Sequence, residues 1–332
     1  MVDTNFLWLF GKSPGFVEIK TPPTYAASEI YSADSVLIGR FYKENRTPVK
    51  YEEVNPAFWN ALISTEDERF YSHHGIDFMG IGGAIKDALT RGDGRGASTI
   101  TQQLAKNMFR VRTQYSTGLL GHVPGLRMLI MKSKEWIIAV KLELIYSKKE
   151  ILTMYANTVD FGNNSFGVKT AARTYFNTTP ARMTIDQAAT LVGMLKATTY
   201  YNPITHPKNS IARRNTVLYN MVTHNVLPRT QYTQLSHRPL KLDIHVEENY
   251  DGQAQYFREY ISDYLKDWMK ENGYDLYSSG LRIYTTIDTR LQKYAEQAAK
   301  KQMEKVQQTF NNHWRGMQPW RDAKGDEIPG FI

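Results

Sequence analysis

The sequence predicts a mainly α protein with a short β-hairpin near the N-terminal end and a small α+β region near the C-terminal end. Three observations predict this. Helix-start signals recur through the first 240 residues: Asn55-Pro56 before an apolar run, then capping-box spacings at Thr99/Gln102, Ser147/Glu150 and Thr184/Gln187. The stretch SEIYSADSVLIGRFY (28–42) alternates and breaks at Ala-Asp-Ser, as a hairpin does. Beyond residue 240 a helical stretch (254–273), a strand-like GLRIYTTID (280–288) and a long helical stretch (289–310) follow one another.

The elements between follow the same rules. NPAFWNALISTEDERFY (55–71) is a capped helix, and 77–92 is a second one whose glycines share a side and would permit close packing. RGDGRGAS (91–98) is a glycine-rich loop with two arginines, and a helix starts at its end. Residues 115–131 are apolar but broken by Gly and Pro. They read either as a segment lying in a lipid headgroup layer, beside Arg127 and Lys132, or as a buried loop-helix. Helices follow at 132–159 with a restart at Ser147, at 184–198 and at 209–225.

Composition narrows the class. A chain of 332 residues exceeds one ordinary core and predicts two domains; 42% hydrophobic and 12% aromatic residues exclude general disorder. A net charge of +8 favours polyanions: nucleic acid, anionic headgroups or phosphorylated substrates. The absence of cysteine excludes disulfides and thiolate metal sites. No run reaches the roughly 20 apolar residues of a membrane-spanning helix. FLWLF (6–10) reads as the stub of a membrane anchor, an interfacial aromatic cluster or a disordered terminus.

Several residues invite chemistry. Glu66 stands near the C-terminal end of an apolar helix, where the dipole disfavours a carboxylate; desolvated there, it can act as a base. The alternative is a solvated helix end paired with Arg69. His73 and His74 are adjacent and do not converge easily on a metal, so His73 reads as support for the turn. Ser98, Thr99 and Thr101 crowd a helix N-terminus, which suits phosphate, and Lys106 adds a point charge. Lys132 and Glu135 are helical neighbours at i, i+3.

Five runs then occur in one order: EDERFYSHHG (66–75), GASTITQQ (96–103), MKSKE (131–135), KKEILTMYAN (148–157) and RRNTVL (213–218). Together they resemble the peptidoglycan glycosyltransferase domain of class A penicillin-binding proteins, glycosyltransferase family 51. The resemblance implies a lysozyme-like helical fold. It implies that Glu66 is the general base and Glu135 the second catalytic glutamate. Phe70, His73 and Gly75 match the rest of the first motif, with Asp67 holding the turn or a neighbouring cation. Ser98, Thr99, Gln102, Gln103 and the following Lys106 match the second, Lys132 the third, Lys148, Tyr155 and Asn157 the fourth, and Arg213 the fifth. Three positions depart: Met131 where the family has arginine, Thr153 where it has glutamate, and Ala156 where it has leucine. Arg127, one turn earlier, is the expected substitute for the missing cation.

The resemblance also implies the reaction. A sugar 4-hydroxyl of a lipid-linked disaccharide-pentapeptide attacks a growing glycan on a polyprenyl pyrophosphate, with inversion. Glu135 would orient Lys132, assist the leaving group or hold a divalent cation such as Mg; the metal stays open. The implied partners are the lipid-linked precursor, the glycan strand, a membrane surface and other cell-wall assembly proteins, not nucleic acid. The implied location is the extracytoplasmic face of the cell membrane. The chain is then expected to divide into a membrane-proximal segment (1–25), a glycosyltransferase domain (26–240) and a linker region (241–332). The linker would lead toward a transpeptidase domain, whose Ser-x-x-Lys and Lys-Thr-Gly signatures do not occur here. A lytic transglycosylase that cleaves glycan strands is the alternative, and a non-catalytic protein binding anionic surfaces is the reading from another class.

Overall fold

The structure, a computed structural model, describes residues 9–22, 27–42, 45–91, 96, 98–123, 125–245, 253–315 and 324–326. In chain order its elements are α1 (Phe16–Lys20), β1 (Ser28–Tyr31), β2 (Leu37–Phe41), β3 (Asn45–Arg46), α2 (Pro56–Glu66), α3 (Phe78–Arg91), α4 (Ile100–Met108), α5 (Val111–Gln114), α6 (Leu126–Ile145), α7 (Lys148–Thr158), β4 (Ser165–Phe166), α8 (Val168–Phe176), α9 (Ile185–Met194), α10 (Pro207–Thr223), α11 (Arg229–Ser236), α12 (Gln255–Glu271), β5 (Arg282–Tyr284) and α13 (Thr289–Trp314). The described residues form two compact units. One holds the chain up to Ala27, from Tyr42 into the 240s, and Asp275–Gly280; the other holds Ser28–Phe41 and the rest of the C-terminal region.

The first unit is helical and owes its helix starts to local chemistry. The Asn55 side chain accepts from the Ala57 amide at 2.9 Å, with Pro56 in the first turn of α2. Ser147 and Glu150 close a capping box on α7, and Thr184 and Gln187 do so on α9. Every residue of α9 from Ala188 to Met194 is buried, which marks it as a central helix. It packs against α2 and α10, while α4 packs against α6 and α7. Phe58, Leu62, Leu104, Ile138, Leu142, Ile151, Leu152 and Val192 belong to one continuous core. Asn157 clamps the chain ahead of α2: its amide donates to the Val49 carbonyl and its oxygen accepts from the Val49 amide, both at 2.9 Å.

The N-terminal segment is strapped to α6. Lys134 donates to the carbonyls of Lys12 and Ser116 (2.6 and 2.8 Å), Lys141 donates to Pro14 O, and the Tyr146 hydroxyl donates to Ile19 O. No carboxylate partners the Lys134 ammonium in these bonds, and burial pushes its pKa from the ordinary 10.5 down to about 8.

The second unit is a three-stranded sheet, order β2-β1-β5, with α12 and α13. β1 pairs antiparallel with β2 and parallel with β5. The sequence groups the hairpin with the helical domain that follows it. Strand pairing instead assigns it to the C-terminal unit, because the other edge of β1 bonds Arg282–Tyr284. The Asp288 side chain caps α13 through the amides of Arg290 and Leu291.

Other expectations meet a different outcome. Gly82 and Gly83 face open space, since α3 is largely exposed and makes no close helix contact there. Thr99 caps α4, but the Gln102 side chain donates to the Gly75 carbonyl, so no capping box forms. Most of FLWLF, of the loop at 92–97 and of the C-terminal tail lies outside the described residues. Among the described residues no helix is long and apolar enough to cross a membrane.

Lys134 gives the fold a pH signature. Its folded pKa lies below its unfolded one, so between about 8 and 10.5 the unfolded chain binds more protons. Stability is expected to rise with pH across that window, and Lys134→Met should flatten the rise in denaturant titrations at pH 8 and 10.

Candidate active site

Glu66 is the last residue of α2 and is half-buried. Gln103, on α4, donates its amide to Glu66 Oε2 at 2.8 Å. The Gln103 oxygen accepts in turn from the Tyr155 hydroxyl of α7 at 2.9 Å. Among the described residues no hydrogen bond reaches Glu66 Oε1. Arg69, the partner of the simple surface reading, turns instead to Asp77 and Glu68.

The turn after Glu66 is held by a buried ion network. His73 Nδ1 accepts from the Gly75 amide, so Nε2 carries the proton and donates to Asp67 at 2.9 Å. The same carboxylate accepts from the Ile100 amide at the start of α4. The Gly75 carbonyl accepts from Thr99 Oγ1 and Gln102 Nε2 at 2.8 and 3.1 Å. Gly75 has φ +86°, and a Cβ there would stand 2.8 Å from the Ala139 backbone of α6, so glycine alone fits. Lys148 donates to the His73 carbonyl at 2.7 Å, pairs with Glu143, and lies 4.4 Å over the Phe70 ring. Glu143 also accepts from Thr101.

A second cluster is cationic. Glu135, its side chain 2% exposed, accepts from Lys132 at one oxygen and from Arg112 at the other, both at 2.9 Å. Lys132 also donates to Ser98 Oγ at 2.8 Å. Burial, with Arg112 and Lys132 nearby, pushes the Lys106 ammonium below its ordinary pKa, while Glu135 and Glu66 oppose the shift. Gln103, Lys106, Arg112, Tyr155 and Asp160 line one cleft of about 460 Å³.

The sequence-predicted residues thus divide. Gln103 and Lys106 line the cleft and Glu66 bonds Gln103; Ser98, Lys132 and Glu135 form a second cluster. Asp67, Phe70, His73, Gly75, Thr99, Gln102 and Lys148 bind one another around the turn, and Asn157 clamps Val49. Arg213 lies 5.8 Å over the Tyr201 ring and packs against Gly193, away from these bonds. The guanidinium that reaches Glu135 is Arg112's, whereas Arg127 is exposed. Met131 is buried in the core, so its position faces inward and carries no cation to the cluster. Thr153 bonds back to Lys149 O, and Ala156 is core. Sequence reasoning missed Arg112 and Glu143; the basic run FRVR after α4 was the only local signal for the first. Among the described residues no three His, Asp or Glu side chains converge, and both Glu135 oxygens are bonded to cations.

Comparison with known proteins decides the family. The transglycosylase family model matches residues 34–222. The chain belongs to that family. It is similar to penicillin-binding protein 1A of Escherichia coli (strain K12), 34% identical over 289 residues, or 86% of this chain and 32% of that protein. It is similar to penicillin-binding protein 1A of Aquifex aeolicus (34% identity; 88% of this chain, 38% of that one) and to penicillin-binding protein 1F of Bacillus subtilis (35%; 83% and 37%). The transglycosylase chain therefore spans about a third of the length of these curated relatives. A crystal structure of penicillin-binding protein 1A from Haemophilus influenzae is 22% identical over 83% of this chain and 29% of that one, with a TM-score of 0.43, too distant a likeness to argue from. Membership of the transglycosylase family implies glycosyltransferase activity.

Asp67→Asn should test the turn. It removes the charge that His73 and the Ile100 amide share, and is expected to lower stability by about 2–4 kcal/mol in urea titrations, with activity falling at temperatures where the fold persists.

Proposed function

We propose that this transglycosylase chain polymerises a lipid-linked peptidoglycan precursor into β-1,4-linked glycan strands. The observation that carries the reading is the juxtaposition of one carboxylate, Glu66, with the cationic group Lys106, Arg112 and Lys132. Family membership supports it, as do relatives named penicillin-binding proteins.

In this reading Glu66 takes the proton from the acceptor sugar's 4-hydroxyl. That oxygen bonds to the donor's anomeric carbon while the bond from that carbon to the pyrophosphate oxygen breaks, inverting the centre. The electron pair leaves with the pyrophosphate, whose charge is met by Lys106, Arg112, Lys132 and the start of α4. Glu135 acts by holding Arg112 and Lys132 in place rather than as an acid, since both its oxygens are bonded to them. An anion entering the cleft would relieve the penalty that burial imposes on the Lys106 ammonium, which favours the charged substrate.

The lipid portion of the substrate suits a membrane surface on the extracytoplasmic side. Leu119, Val123, Met128 and Leu129 are exposed just before and within the first turns of α6, which supports such a face. Glycan cleavage by a lytic enzyme would share Glu66 but would leave the cations without a leaving anion.

Glu66→Gln is expected to cut polymerisation of lipid-linked precursor by about 10²–10⁴-fold with circular dichroism unchanged. An active Glu66→Gln protein would overturn the assignment of the base. Arg112→Ala should reduce the rate by about 10²-fold, and more than Arg127→Ala does, in the same assay.

A further inference from the structure

Two adjacent glutamines on α4 do different things. Gln102 turns to the Gly75 carbonyl, whereas Gln103 bridges Glu66 and Tyr155. We infer that Tyr155 is a positioning residue: by donating to Gln103 Oε1 it fixes the amide so that its N–H, not its oxygen, meets Glu66. The inference rests on the proposed role of Glu66 as base.

The direction of the relay follows from donors and acceptors. The Tyr155 ring is 1% exposed, and burial, with the Glu66 charge, holds its phenol protonated far above the usual range. A phenol that keeps its proton needs an acceptor, and Gln103 Oε1 supplies it. The amide can then offer only N–H to Glu66 Oε2, which holds the carboxylate in place and leaves Oε1 for the incoming hydroxyl. Without Tyr155 the amide can flip and present its oxygen to Glu66, and an amide oxygen cannot hold a carboxylate in place.

The surrounding charges do not substitute for this bond. Lys106 on α4 acts on Glu66 through space. Asp67, next in sequence, is committed to His73 and the Ile100 amide. On α9 and α10, which also pack on α2, Asp186 faces Arg238, Arg213 lies over Tyr201, and Arg214 bonds Asn215 and Ser236 O.

The test is the kinetics of polymerisation of lipid-linked precursor by wild type, Tyr155→Phe, Gln103→Met, the double variant and Glu66→Gln. Tyr155→Phe should lower kcat by about 10-fold, with KM within about twofold of wild type. Gln103→Met should lower kcat at least as far, and the double variant no further than Gln103→Met alone, because both act through one bond. An unchanged kcat in Tyr155→Phe, or losses in the single variants that multiply in the double, would overturn the inference while Glu66→Gln stays inactive. A lower Tm with an unchanged kcat would likewise reduce Tyr155 to a packing residue. An active Glu66→Gln protein would overturn the base assignment and the inference together.

Discussion

Glu66 can serve as a base only if α2 ends where it does, and that ending depends on the neighbouring carboxylate. Asp67 is 7% exposed and accepts from His73 and from the Ile100 amide, 33 positions along the chain. One buried charge thus joins the end of α2, the turn that follows and the first turn of α4. Hydrogen bonds to a charged group contribute about 1.5–3 kcal/mol each, and a buried charge stripped of them costs more than they gave. Lys148 from α7 closes the assembly on the far side of His73, and Gly75 lets it lie flat on α6. Asp67, His73 and Gly75 of the first motif, Thr99 and Gln102 of the second and Lys148 of the fourth thus hold two helix ends together.

That division explains what the sequence could and could not show. Caps and periods are local, so the starts of α2, α7 and α9 are readable from Asn55-Pro56, Ser147/Glu150 and Thr184/Gln187. The i, i+3 spacing of Lys132 and Glu135 likewise survives as a real ion pair. What fails is whatever a distant segment decides. Arg112 reaches Glu135 across 23 positions, and no helical spacing announces it. The hairpin chooses β5, more than 250 positions away, as its third strand. Gln102 follows the capping-box rule in spacing, yet its side-chain amide donates to the Gly75 carbonyl and no box closes. The glycines of α3 look like a packing stripe only if a partner exists.

The resemblance to a family names residues, and the structure supplies the protein contacts of each. Lys148, Asn157 and Arg213 stand in its motifs, and here each one's contacts are with the protein itself: His73 O and Glu143, Val49, and the Tyr201 ring. A motif position can persist because it fixes the backbone that carries the chemistry.

The electrostatic problem of such a site is to keep a base and its cations apart. Lys106, Arg112 and Lys132 bring three positive charges together, and Glu135 bonds two of them. Glu66 acts on Lys106 through space, and a direct Glu66–Lys106 bridge would occupy both: the carboxylate could not receive a hydroxyl and the ammonium would lose its claim on a leaving group. The neutral Gln103–Tyr155 pair occupies one side of Glu66 with a directed hydrogen bond, strong enough to hold the carboxylate yet too weak to neutralise it. On the proposed reading the cationic charge is left for an incoming pyrophosphate, and the proton acceptor for an incoming hydroxyl. In the proposed reaction, two uncharged side chains thus keep the site from satisfying itself before the substrate arrives.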